Sequence, residues 1–311
     1  MSADIISDAA KGSGGNMADK LGYRTRTGRG IVCMVVGAGL LTISDGFVKW
    51  LTDGYPVTQI IVVRGVFILL PIFILAWRME KFSSLRVARP TGQALRAVLF
   101  TASMFLFLNG LRFNPLAINT AIAFASPLII TALAVPFLGE SVGWRRWSAV
   151  LVGFCGVLVI VRPIGDSINV YALLPLACAV TSAIQDIVTR RISDTESALS
   201  VLLCSTVFVM LAAAGFAFDG SWRMPTLFDF GLLVITGLLS AAAHYLLIET
   251  FVLAEAAVVS PFRYSALVWG LLIGFFVWGD LPTGADWAGI FLIVGSGIYI
   301  IHRESKRRSA A

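Results

Sequence analysis

Charge is scarce in this sequence. Asp, Glu, Lys and Arg make up 14% of its 311 residues, against about 25% in a soluble domain. No stretch of the chain has the polar surface that a soluble domain must show to water. Histidine occurs twice, which excludes a His-rich metal site. The four cysteines, Cys33, Cys155, Cys178 and Cys204, each lie inside an apolar run, and none forms a Cys-x-x-Cys pair. They predict small apolar packing groups, with neither a disulfide framework nor a metal site. No Gly-x-x-x-x-Gly-Lys-Ser/Thr loop is present, so ATP does not drive a process in this chain directly. Residues 1–29 lack the apolar core of a cleaved signal peptide. They are rich in Ser, Gly and charge, and predict a disordered cytoplasmic tail.

Apolar residues are abundant, at 58%, and mean hydropathy is +0.86. Both values describe a chain whose solvent is mostly lipid. A membrane-spanning helix needs about 20 mainly apolar residues. Ten runs qualify: 31–51, 57–77, 94–111, 116–138, 147–162, 169–189, 197–217, 229–251, 256–279 and 286–302. They are continuous rather than alternating, which selects helices over a β-barrel.

The net charge of +6 forms no basic face or stripe, so nucleic acid is not an expected partner. It sits in loops and tails instead. With the N-terminus cytoplasmic, inner segments hold eighteen Lys and Arg, and outer loops hold three, Arg112, Arg162 and Arg223. That bias places both termini inside. Six tryptophans (Trp50, Trp77, Trp144, Trp147, Trp278 and Trp287) fall at span ends, where amphipathic rings favour the interface.

The two halves align on each other. An interval of 140 residues pairs Leu138-Gly139-Glu140 with Trp278-Gly279-Asp280, Trp147 with Trp287 and Ala117 with Ala257. Nearer the N-terminus an interval of 141 pairs Asp45 with Asp186, Lys49 with Arg190 and Phe67 with Phe208. Each copy holds five spans, an odd number, so the second enters the membrane inverted. Inverted repeats are the architecture of many secondary transporters, because the halves exchange conformations around a central site. The expected fold is an all-α integral membrane protein of ten transmembrane helices in two inverted five-helix repeats. Its expected divisions are a tail over 1–29, repeats over 30–163 and 168–303, and a second cytoplasmic tail over 304–311.

The run Ala117–Pro127, followed by Gly139-Glu140, Trp147 and Gly153–Gly156, resembles the repeat of the drug/metabolite transporter superfamily, EamA type. A second copy runs from Pro261-Phe-Arg-Tyr264 through Gly279-Asp280 to Gly297. The resemblance implies a ten-helix basket with its substrate cavity among spans 1, 3, 4, 6, 8 and 9. Within the family the chain looks similar to bacterial exporters of aromatic and other amino acids. One departure stands out. Pro127 aligns with Leu267, and the second copy's proline is Pro261, so the break in the ninth span is expected at a different depth.

Ionisable and polar side chains inside apolar spans are costly and mark candidate sites; the competing reading is snorkelling or a structural pair. Arg263 shares a helical face with Leu267, Gly270 and Gly274, which predicts that it points into the protein. Tyr264 borders the same region; Trp269 falls on another side and predicts packing. Asn119 and Pro127 occupy the matching face of the fourth span. Arg64 lies too deep for easy snorkelling, as a salt-bridge anchor or an anion contact. Asp45 and Lys49 are spaced to pair on one helix, as are Asp186 and Arg190, with Ser44 and Gln59 placed to add hydrogen bonds. His244, Tyr245 and Glu249 lie in the eighth span, and Asn109 is the repeat equivalent of Glu249.

The leading expectation is a secondary transporter, without cofactor or metal, that exports small amino-acid-like solutes across the bacterial inner membrane, its chain working as a monomer in lipid. A zwitterion needs an anion contact (Arg263, Arg64 or Lys49), an ammonium acceptor (Asp45 or Glu249) and an aromatic pocket (Tyr264, Tyr245, Phe124). A second reading keeps the fold and changes the cargo to a nucleoside-like or cationic metabolite taken up. A third, an integral-membrane enzyme, needs a clustered acid/base or metal constellation, and the sequence offers none.

Overall fold

The computed structural model describes residues 4–78, 87, 89–138, 143–161, 170–192, 198–216, 221–254 and 256–308. Among them every regular element is helical. Lipid cannot hydrogen-bond a bare backbone, so each crossing segment must satisfy its own N–H and C=O groups, and helices do so.

The elements run α1 (Asp4–Leu51), α2 (Val57–Arg78), α3 (Pro90–Phe113), α4 (Leu116–Ala123), α5 (Ser126–Leu138), α6 (Trp144–Val161), α7 (Leu173–Ile192), α8 (Ala198–Gly215), α9 (Leu227–Leu253), α10 (Ala256–Val259), α11 (Ser265–Ile273) and α12 (Gly284–Arg308). Eight segments are long and apolar enough to cross a membrane, and α6 and α8 supply two shorter apolar stretches, Trp147–Val161 and Ser200–Gly215. The apolar part of α1 begins at Arg26. Residues 4–29, expected as a disordered tail, instead continue its helix. The physical reason is that extending an existing helix needs no new nucleus.

Two of the expected spans are not single helices. The fourth is α4 and α5, with a turn at Phe124–Ala125. The ninth changes pitch along its length. It is α-helical in α10, 3-10 over Ser260–Tyr264, α-helical again in α11 and π-helical over Gly274–Trp278. The break was expected at a different depth from that in the fourth span. In fact the pitch changes at Phe124 in one copy and at Tyr264 in the other, 140 residues apart. The prolines sit on opposite sides of these points, and the backbone change falls in register regardless.

Helix packing repeats between the halves. α1 packs on α9 as α7 packs on α3; α2 packs on α9 as α8 packs on α3; α2 meets α8, α6 meets α12, and α4 meets α11. One apolar core joins α1, α2 and α3 to α8 and α9 around Val48, Ile60, Leu108 and Leu233. The other joins α4 to α7 with α11 and α12 around Ile122, Leu128, Val157 and Ile293. Large apolar side chains cover the exterior, with Phe276 78%, Phe291 68% and Leu211 67% exposed. Such a surface suits acyl chains rather than water.

Candidate functional site

A buried polar cluster lies where α1, α2 and α9 meet. Gly237 makes that meeting possible. A Cβ there would come within 2.7 Å of the Arg64 carbonyl oxygen, so only glycine lets α9 lie this close to α2. One turn further along α9, Ser240 reaches the Arg64 side chain.

Arg64 is 4% exposed. Its Nη2 donates to Ser240 Oγ at 2.9 Å. Ser240 Oγ and Ser44 Oγ lie 3.0 Å apart, and Ser44 Oγ donates to the Thr236 carbonyl at 3.1 Å. His244 Nδ1 stands 2.6 Å from the Ser240 carbonyl oxygen. A carbonyl can only accept, so Nδ1 carries the proton in this contact. Arg64 Nε and Nη1 are buried and have no hydrogen-bond partner among the described residues.

Asp45, beside Ser44 on α1, completes the cluster. Arg64 is the cation whose field acts on it. No hydrogen bond joins the two among the described residues. Both Arg64 and Arg263 act electrostatically on His244. Of the residues nominated from sequence, Arg64 thus acts on both Asp45 and His244, and Arg263 on His244.

Other nominated residues go elsewhere. Lys49 was expected to pair with Asp45, one turn away. Its Nζ instead donates to the Asn114 carbonyl at 2.6 Å and lies 3.9 Å from Asp280. Near the end of α1 the flexible stem reaches two loops more readily than it folds back along its own helix. Gln59 was expected beside Asp45. It is bonded through both amide atoms to the backbone of Arg223, Nε2 donating at 2.5 Å and Oε1 accepting at 3.1 Å. The partner expected for Asp186, Arg190, has a side chain outside the described residues. Arg96 is the cation that acts on Asp186.

Arg263 was expected to share a buried face with Gly270 and Gly274. Those glycines are buried, but Arg263 is exposed. The wheel assumed one continuous α-helix, whereas Arg263 lies in the 3-10 turn, where each residue advances about 120° rather than about 100°. Tyr264 is buried and packs on Phe124 with ring centroids 5.0 Å apart. Its hydroxyl has no hydrogen-bond partner among the described residues. Asn119 is fully buried; its Nδ2 donates to the Phe107 carbonyl at 3.3 Å, and its Oδ1 has no partner among the described residues. Asn109 caps its own helix turn at Phe105, Glu249 is half-buried, and Tyr245 is exposed. Trp269 packs as expected, donating from Nε1 to the Val35 carbonyl at 3.2 Å.

Sequence reasoning missed Ser240 and Thr236. Their signal was present: Thr236, Ser240 and His244 recur every fourth residue in an otherwise apolar span, which lines them up on one helical face. It also missed Arg96, which donates to Thr189 Oγ1 at 2.9 Å and to Ser205 Oγ. Ser205 stands 141 residues after Arg64. The α2–α9 contact of Arg64 with Ser240 is therefore answered across α3 and α8 by an arginine–serine contact with the two residue types exchanged.

Comparison with known proteins matches this arrangement. A solved crystal structure shares the fold at a TM-score of 0.63 and 18% identity, covering 92% of this chain and 99% of its own. An S-adenosylmethionine uptake transporter of Rickettsia bellii is 30% identical over 227 residues, 73% of this chain and 78% of that one. A riboflavin transporter of Vibrio cholerae is 31% identical, covering 72% and 76%. The pseudopaline exporter CntI of Pseudomonas aeruginosa is 25% identical over 85% and 93%. None of these three is named for the aromatic amino acids that the sequence resemblance suggested. The family that matches does so twice along the chain, at residues 28–162 and 169–302, one match on each of the halves that align in sequence. The chain belongs to the EamA-like transporter family.

Proposed function

We propose that this chain is a secondary transporter that takes up a nucleoside-like or cationic metabolite across the inner membrane by alternating access. The observation that carries the reading is the cluster at α1, α2 and α9, where both signs of charge face each other inside an apolar bundle. Such a centre costs free energy in lipid and suits a solute that itself carries charge. The names of the relatives from Rickettsia and Vibrio, both bearing a heterocycle as cargo, support uptake of this class. The halves 30–163 and 168–303 act as inverted five-helix repeats, with both termini cytoplasmic. The exchanged packing pairs and the two family matches support the repeats, and the distribution of Lys and Arg supports the orientation.

Export of amino-acid-like solutes, the leading expectation from sequence, is the second reading, and the similarity to a pseudopaline exporter favours it. Purified protein in liposomes separates the two. Radiolabelled S-adenosylmethionine should accumulate inside, and unlabelled riboflavin and single amino acids should compete to different degrees. Accumulation of phenylalanine, with none of either heterocyclic solute, would overturn the uptake reading in favour of amino acids.

A further inference from the structure

We infer that Lys49 is the latch of an outer gate. It ties the two halves together beside a closed entrance, between the start of α4 and the turn before α12, and must let go for that entrance to open. The inference rests on the alternating access and the orientation proposed above.

The entrance is a cavity of about 190 Å³. Ala117 and Ile118, at the start of α4, line one side, and Gly274, Gly279, Asp280 and Leu281 line the other. The first side belongs to the first half of the chain and the other to the second half. A pocket that holds an organic solute measures about 300–1,000 Å³, so this cavity is too small to hold or pass such a cargo until its walls part. Water reaches its rim, since the Asp280 side chain is 32% exposed.

Lys49 crosses that seam from the end of α1. Its Nζ donates to the Asn114 carbonyl at 2.6 Å, in the turn before α4. It also lies 3.9 Å from Asp280 Oδ2 and 5.3 Å from the centre of the Trp278 ring. One ammonium therefore holds both walls. Asp286, the other carboxylate lining the cavity, is held instead by the Thr283 backbone N–H and hydroxyl. Alternating access moves one half against the other, so a contact that crosses the seam at one face must part when that face opens. A long ion pair at a partly exposed site is weak, which suits a contact that breaks and re-forms in each cycle. The backbone beside it is irregular too. Between α11 and Asp280 the chain passes through the π-helical Gly274–Trp278 and then Gly279, at φ 69°. Single π-turns are frequent at functional sites, and that φ favours glycine.

The test reads the opening of the cavity without any solute. Ile118→Cys puts a thiol on its wall. The purified full chain in lipid nanodiscs, with both faces in water, is labelled with a water-soluble maleimide and read site by site by mass spectrometry. Native Cys178, buried in the bundle, reports general loosening. With Lys49 in place, position 118 should label slowly. Lys49→Met should speed it about fivefold to thirtyfold, the population change that losing a charge-assisted bond brings, with Cys178 still protected. Lys49→Arg keeps the charge and its donors and should stay near the parent rate. Asp280→Asn should give a smaller rise, because the bond to Asn114 remains. Arg191→Gln removes a bond to the Phe137 carbonyl at the opposite end of the fourth span and should leave position 118 protected. Should Lys49→Met fail to fold, the rise in Asp280→Asn decides the matter. An unchanged rate in folded Lys49→Met, an equal rise in Arg191→Gln, or a rise shared by Cys178 overturns the latch. The labelling needs no solute, so it is independent of S-adenosylmethionine uptake, whose absence removes the proposed cargo alone.

Discussion

Phe124 and Tyr264 meet with ring centroids 5.0 Å apart and planes tilted by 38°, and the 140 residues between them are the interval that relates the two halves. Each ring sits where its own span changes pitch, so the two irregular spans touch at equivalent points. The contact is tight on its far side as well, where a Cβ at Gly297 would overlap the Tyr264 hydroxyl and approach Cζ within 2.7 Å.

A double-mutant cycle follows from that crowding. Tyr264→Phe removes a buried hydroxyl without a partner and should stabilise the protein by about 1 kcal/mol. Gly297→Ala overfills the site and should cost about 1–3 kcal/mol. Combined with Tyr264→Phe, the alanine should cost less than it does alone. Thermal melts in detergent measure all three; strict additivity would contradict the contact.

Lys49 should behave as a tie between loops. Lys49→Met loses a charge-assisted bond to the Asn114 carbonyl and the contact to Asp280, at about 1–2 kcal/mol. Asp280→Asn keeps the partly exposed position polar and should cost no more than about 1 kcal/mol. A Lys49→Met protein that melts like wild type shows that the tie contributes nothing.

The start of α9 is pinned to the turn after α1. Thr226 Oγ1 accepts from the Asp229 backbone N–H at 3.1 Å, and Tyr55 Oη donates to Asp229 Oδ2 at 2.8 Å. Thr226→Ala should cost about 1 kcal/mol, and Thr226→Ser should restore most of it. Hydrogen exchange at residues 227–230 should rise in the alanine variant. Unchanged exchange there removes the cap from the account.

Topology is checked by reporters. A fusion after Ala311 should read cytoplasmic and one placed in 221–226 periplasmic, as the distribution of Lys and Arg requires. Reporters on the same side rule out the proposed orientation.

The fold was readable because lipid leaves the backbone few choices. Runs such as 57–77 and 229–251 became α2 and α9 with ends shifted by few residues. The site was readable less evenly. Asp45 and Arg64 declared themselves as charges deep in apolar runs. Ser240 and Thr236 did not, since hydroxyls in apolar helices are common and carry no charge. Arg263 was misplaced for a different reason. A helical wheel presumes one pitch, and although Pro261 marks a break, nothing in Ser260–Trp278 announces that the pitch changes twice along that stretch. Lys49 was misassigned because spacing on its own helix said nothing about loops brought near from Asn114 and Asp280.

The five-residue 3-10 turn at Ser260–Tyr264 sets the rotation at which α11 leaves it. A 3-10 turn winds about 120° and climbs about 2.0 Å per residue, and an α-helix winds about 100° and climbs about 1.5 Å. Rewinding all five residues into an α-helix rotates the chain beyond Tyr264 by about 100° and draws it in by about 2.5 Å. Arg263 and Tyr264 ride on that thread. A rotation of that size would carry α11 off α4 and Tyr264 off Phe124, so these two contacts hold the span in its 3-10 form.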